Sequence, residues 1–271
     1  MSLTFTVGGC RGSMCVSGHQ YRRYGGNTTC YYVEVEPGHY LVIDAGTGLR
    51  TLQNEARERP GPQRFTVLLT HYHWDHIQGL PTFGGIYDPG VRVDLYGPPC
   101  NEKTPTEALG DVMKPPWWPV PVDKASGVKV HALDESMKVG AVRVHQMGLS
   151  HPQRSVAFRL DADRSIVIAT DHEAGEQSEI DDALAEFASG ADVLFHDAQY
   201  TPDEHLADKK GWGHSDWEQA ARAARAAGVG RLILTSHDPD RTDEEVDAIR
   251  YEARRLFTPV DAAFEGMTLP L

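Results

Sequence analysis

The apolar run from Phe65 to Leu69 passes without a break into Thr70-His71-Tyr72-His73-Trp74-Asp75-His76. That junction limits what the chain can become. A short run of apolar and β-branched residues reads as a strand buried on both faces, so other layers must cover it. In an extended chain residues two apart point to the same side, so His71 and His73 can reach one cation together. The turn into Ile77 to Phe83 then presents Asp75 and His76 to a neighbouring point. Three imidazoles and a carboxylate so close together at the end of a buried strand predict a metal site. The chain has 13 His in 271 residues, and this is their densest cluster.

Around that strand the pattern alternates. Thr4 to Val7, Tyr31 to Glu36 and Tyr40 to Asp44 read as strands, with a hairpin at Pro37-Gly38. Gly48 to Arg59 reads as a helix that stops at Pro60-Gly61-Pro62. Strands are predicted at Val91 to Tyr96, Val128 to Leu133, Ala141 to Met147, Ser155 to Leu160 and Ser165 to Ala169. Helices at 178–189, 216–227 and 243–256 then alternate with strands at 192–195, 231–234 and 260–264. No linker, repeat or low-complexity tract divides the chain, which predicts one domain over 1–271. Many strands with interspersed amphipathic helices predict an α+β fold of stacked sheets covered by helices.

His71-x-His73-x-Asp75-His76 resembles the HxHxDH signature of the metallo-β-lactamase superfamily. The resemblance extends along nearly the whole chain, through Gly148-Leu149-Ser150-His151-Pro152, Ile168-Ala169-Thr170-Asp171 and Thr235-Ser236-His237. It implies an αββα four-layer sandwich with two divalent metal ions at one edge of the sheets. One ion would take His71, His73 and His151, the other Asp75, His76 and His237, with Asp171 between them. Such nitrogen and oxygen donors suit Zn first, and also Mn or Fe. Asp44 lies where the family keeps a carboxylate that orients a ligand imidazole.

Two further segments resemble the branch that holds ribonuclease Z and cyclic-phosphate phosphodiesterases. They are Asp192 to Ala198, a strand ending in His196-Asp197, and Gly213-His214-Ser215-Asp216 ahead of an Ala-rich helix. The resemblance casts His214 as the general acid, Asp197 as the carboxylate that orients it, and Asp75 as a third catalytic group. His172 and His196 are expected in supporting positions. The Gly-rich segment from Gly8 to Cys30 also resembles that branch. The expected function is hydrolysis of a small phosphodiester, such as a cyclic nucleotide. Two alternatives stand beside it: a hydrolase of thioesters, lactones, other carbonyl esters or β-lactams, and a metal- or ligand-binding regulatory protein without turnover.

Composition narrows the partners. A net charge of −13 disfavours long RNA, since nucleic-acid binding rests on Lys and Arg neutralising phosphates. Only 20 positions separate His151 from Asp171, which leaves no room for a long RNA-holding arm. No apolar run approaches the ~18–20 residues that span a bilayer. The four Cys form no CxxC pair, and the first residues lack the pattern of a secretory signal, so a cytoplasmic protein is expected. A homodimer is an assembly open to it. The segment from Pro99 to Lys124, with six Pro and the pair Trp117-Trp118, reads as a semi-rigid wall. Its indoles are expected either to stack a nucleobase or to pack against the sheet.

Overall fold

The computed structural model describes residues 3–271. Its first half builds β1 (Thr4–Gly9), β2 (Cys30–Glu36), β3 (His39–Ile43), α1 (Leu49–Arg57), β4 (Arg64–Leu68), α2 (Trp74–Ile77), β5 (Arg92–Gly97), α3 (Pro105–Val112) and β6 (Val128–Ala132). The second half builds β7 (Ser136–Val139), β8 (Val142–Leu149), β9 (Ser155–Asp161), β10 (Ser165–Ala169), α4 (Ser178–Phe187), β11 (Val193–Asp197) and α5 (Pro202–Glu204). It ends with α6 (Trp217–Ala227), β12 (Leu232–Thr235), α7 (Asp243–Ala253), β13 (Val260–Ala262) and β14 (Thr268–Pro270). Among the described residues the strands form two seven-stranded sheets, ordered β14-β1-β2-β3-β4-β5-β6 and β13-β12-β11-β10-β9-β8-β7. Each sheet is antiparallel on one side and becomes parallel on the other, from β3 through β6 and from β10 through β13.

The alternation of side chains along each strand accounts for the layers. Phe5, Val7, Tyr31 and Val33 of the first sheet meet Phe158, Ile166, Ile168, Phe195 and Ile233 of the second in one buried cluster. The residues between them point outward: Tyr32, Val42 and Val67 pack under α1 and α3, and Val167, Leu194 and Leu232 pack under α4, α6 and α7. The result is helices, sheet, sheet, helices, the αββα arrangement. α6 shows how local sequence serves this. Asp216 caps its first turn with bonds to the Glu218 and Gln219 amides, and Gly228 ends it in the left-handed conformation. Its buried face is only Ala220, Ala221, Ala224 and Ala227, so the helix lies close on the sheet.

Sequence and structure differ at the edges. β7 and β14 went unread because edge strands of three or four residues carry too little alternation, and Pro270 argues locally against a strand. The Pro-rich wall contains α3, started by a capping box between Thr104 and Glu107, and a single 3-10 turn at Val122–Lys124. Trp118 donates its indole N–H to the Tyr87 hydroxyl (2.8 Å) and packs against the outer face of the first sheet, while Trp117 is 75% exposed. Among the described residues no helix is long and apolar enough to cross a membrane.

The two sheets are joined at a triangle of rings, Phe5, Tyr31 and Phe195, with centroids 5.3–5.7 Å apart. Phe5→Ala, remote from the polar edge described next, should lower the unfolding free energy by ~3–5 kcal/mol. Urea denaturation followed by tryptophan fluorescence checks this, and a loss under 1 kcal/mol would contradict the packing assigned here.

Candidate metal centre

Six chain segments reach one edge of the sandwich at strand ends: Asp44 after β3, Thr70 to His76 after β4, His151 after β8, Asp171 after β10, Asp197 ending β11 and Ser236 after β12. Register keeps these ends level, with Ile43 beside Leu68, Ala169 beside His196 and Asp197 beside Thr235. Asp44, Asp171 and Ser236 each adopt positive φ (61°, 55° and 57°), so the chain turns sharply where each strand ends.

The imidazoles are oriented by bonds behind them. His76 donates Nδ1–H to Asp44 (2.8 Å), which leaves Nε2 facing Asp171 (3.2 Å) and Asp75 (3.3 Å). Asp44 also accepts from the Thr70 amide (2.8 Å) and hydroxyl (2.9 Å). The Thr70 oxygen in turn accepts from His71 Nδ1 (3.0 Å), so His71 Nε2 is the atom that faces Asp171 (3.6 Å). His151 donates Nδ1–H to the Gly213 carbonyl (2.7 Å) and sets Nε2 3.0 Å from His73 Nδ1 and 3.7 Å from Asp171. A Cβ on Gly213 would collide with that His151 nitrogen, and its φ of 89° suits glycine alone. Asp75 is held from the N-terminal segment, accepting from the Ser13 amide (2.8 Å).

The donor atoms fit a cation. One donor atom each from His71, His73, His151 and Asp171 lies within 4.8 Å of the others, and the same holds for Asp75, His76 and Asp171. Nε2 of His71, Nε2 of His76 and Oδ1 of Asp171 are buried without any hydrogen-bond partner. Such orphaned polar atoms are costly unless something else satisfies them. Burial holds His71, His73 and His151 below the usual imidazole range, in the neutral form that offers a lone pair. Burial alone would raise Asp171, but His76 and His214 hold it well below the ordinary carboxylate range, so it stays ionised.

Asp197 and His214 stand beside this cluster. Asp197 is fully buried and accepts from His214 Nδ1 (2.7 Å), the Asp171 amide (3.0 Å), the Ser215 amide (3.0 Å) and the Gln199 amide (3.2 Å). His214 Nε2 then lies 4.0 Å from Asp171. Burial would lower the His214 pKa, but Asp197 and then Asp171 overcome it and raise it to about 9, so the ring carries its proton at neutral pH. A divalent cation on Asp171 would oppose that rise by repulsion.

The structure departs from the sequence expectation at His237. It is buried, but its Nε2–H donates to the Ala263 carbonyl (2.8 Å) and its amide to the Cys10 carbonyl (3.0 Å). Its ring lies edge-on to Tyr24, 5.6 Å away, and it belongs to none of the donor groups above. The left-handed residue that closes β12 is Ser236, one position earlier, and the turn it makes directs His237 away. His196 points behind the site, donating to the Asp197 carbonyl (2.8 Å), and His172 bonds Asp181 (3.1 Å). Sequence reading missed Thr70, Ser13, Ser236 and Glu173. Glu173 is buried and accepts from the Gly211 amide (2.6 Å), the Gly213 amide (2.7 Å) and His205 (3.2 Å), fixing the loop that carries His214. Its place two residues after Asp171 was the available signal.

A four-layer sandwich with buried imidazoles and carboxylates converging at the strand ends defines a metal-binding class of protein. The chain matches the family described as the Beta-lactamase superfamily domain over residues 39–237 and belongs to it. It is 26% identical to a protein named Ribonuclease Z from Myxococcus xanthus, over 85% of this chain and 88% of that one. Among solved structures it resembles the metallo-β-lactamase fold protein YhfI of Bacillus subtilis, with a TM-score of 0.74 and 21% identity over 99% of this chain and 100% of that one. A diphosphatase from the PhnP family is similar at a TM-score of 0.71 and 22% identity, over 99% and 98% of the two chains.

Asp171 touches both donor groups. Asp171→Ala should therefore lower total bound metal by more than half, read by elemental analysis of the purified protein. Unchanged metal content with lost activity would remove Asp171 from the ligand set.

Proposed function

We propose that residues 1–271 act as one metal-dependent hydrolase domain cleaving a small phosphodiester, such as a cyclic nucleotide. The observation that carries this reading is the His214 ring, bonded through Nδ1 to the buried Asp197 and set with Nε2 4.0 Å from Asp171, where the two carboxylates favour its protonated form. Hydrolysis of a phosphodiester expels an alkoxide, and a positioned acid that protonates it contributes typically 100- to 10,000-fold. Hydrolysis of thioesters, lactones or β-lactams makes less demand on such a donor. The relative named Ribonuclease Z supports cleavage of a phosphorus–oxygen bond, while the net charge of −13 favours a small substrate over long RNA.

His71, His73, His151 and Asp171 would hold one divalent ion, and Asp75 and His76 with Asp171 a second, Zn or Mn being suited to these donors. Bound ions there would lower the pKa of water and neutralise charge developing on the phosphate oxygens. The chain supplies the rest. Asp44 and Thr70 keep His71 and His76 in the tautomers that face the substrate side. Asp75, steadied by Ser13, accepts a proton as water attacks phosphorus. As the bond to the leaving oxygen breaks, His214 passes its Nε2 proton to that oxygen, while its Nδ1–H remains on Asp197. The products are a phosphomonoester and an alcohol, which for a cyclic nucleotide are carried on one ring-opened molecule.

His214→Gln should slow hydrolysis of an alkyl phosphodiester by about 100- to 10,000-fold. It should slow bis(p-nitrophenyl) phosphate far less, since nitrophenolate leaves without a proton. Asp197→Asn combined with His214→Gln should cost little more than His214→Gln alone, because the two act as a unit. Steady-state kinetics on the two substrates check this. Equal losses on both substrates, or no turnover of any phosphodiester by metal-loaded protein, would refute the reading.

A further inference from the structure

Beside the Asp197–His214 pair, two other donor groups share Asp171, and these two are unequal. On one side stand three imidazoles, His71, His73 and His151; on the other stand one imidazole and one carboxylate, His76 and Asp75. The strand end from which a third partner for the second group could come is occupied by Ser236. Backbone contacts lead from Ser236 through Gly12 and Ser13 to Asp75. A Cβ on Gly12 would lie 3.1 Å from the Ser236 carbonyl, and the next residue, Ser13, bonds Asp75. Ser236 is fully buried, and its hydroxyl has no hydrogen-bond partner.

We infer that this chain holds one divalent cation firmly on His71, His73, His151 and Asp171, and a second weakly on Asp75, His76 and Asp171, because Ser236 stands where a stronger donor would complete the second site. The inference rests on reading this edge as a metal site. Three imidazoles and a carboxylate give zinc four protein donors, a set that can expand to five-coordinate to take a water. The second group provides three donors, and a neutral hydroxyl is a poor substitute for an imidazole. Charge does not restore the balance. Asp171 is shared, so the first ion's charge already cancels those of Asp171 and Asp75 when the second arrives.

His237 cannot compensate without dismantling the loop around it. Its Nε2–H, its amide and its carbonyl are all engaged, with Ala263, Cys10 and the Gly12 amide respectively. The buried Arg11 guanidinium fastens the same region, donating to the Gly25, Asp238 and Arg241 carbonyls at 2.7–3.1 Å.

The test is metal retention. Zinc-loaded protein is dialysed against a weak chelator, and zinc per chain is measured by elemental analysis. The wild-type chain should keep about one zinc, on the four-donor set. His76→Ala should keep the same amount, and His151→Ala should lose it. Ser236→His should raise retention towards two per chain, with circular dichroism reporting whether that variant folds. If it does not fold, the contrast between His76→Ala and His151→Ala decides. Retention of two zinc by the wild type, retention of none, or equal loss in His76→Ala and His151→Ala would overturn the inference. Retention is measured without substrate, so a chain that keeps one zinc yet cleaves no phosphodiester would sink the proposed function alone.

Discussion

The buried carboxylate of Asp197 is the interaction on which the polar edge depends. It ends β11, and its two oxygens reach the amide that opens the turn at Asp171, the amide of Ser215 ahead of α6, the amide of Gln199 and the ring of His214. A fully buried charge is tolerated only when its lone pairs are filled. Here, filling them fastens neighbouring strand ends and a loop into one geometry. Asp44 does the same on the first sheet, joining Thr70, His71 and His76 through direct and relayed bonds.

These two carboxylates need not touch substrate to matter. They settle which nitrogen of His71, His76 and His214 faces Asp171, and such fixed orientations separate a ligand set from a cluster of histidines. The cost of burying them is met by the sandwich itself. The parallel halves of both sheets are covered on both faces, so level strand ends can carry polar groups without exposing the core.

The strand run into His71-x-His73-x-Asp75-His76 was legible because ligand spacing and a period of two residues are local properties. The same is true of the Asp216 cap and the Ala face of α6. Asp197 and His214 were legible as segments, but their 2.7 Å contact spans 17 residues and depends on the Glu173 anchor, whose own partners lie 32 to 40 residues further along the chain. Trp118 and Trp117 were ambiguous for the same reason, since a loop's composition does not say which side of it faces the sheet. The edge strands β7 and β14 carry too few residues to show a period.

His237 marks where local reading ended. From sequence, Thr235-Ser236-His237 presents a histidine at a strand end, and alternation cannot tell which residue turns the corner. The left-handed turn falls at Ser236 because Thr235 is tied to the Tyr31 hydroxyl in the core (2.7 Å) and His237 to the loop at Cys10 and Ala263. Those partners lie far away in the chain. The sequence by itself determined the donor types, their order and the layers that bury the strands, because these follow from residue chemistry and short periods. Only the tertiary structure decided which donors share a point in space, since an offset of one residue at a strand end reverses the side a side chain faces.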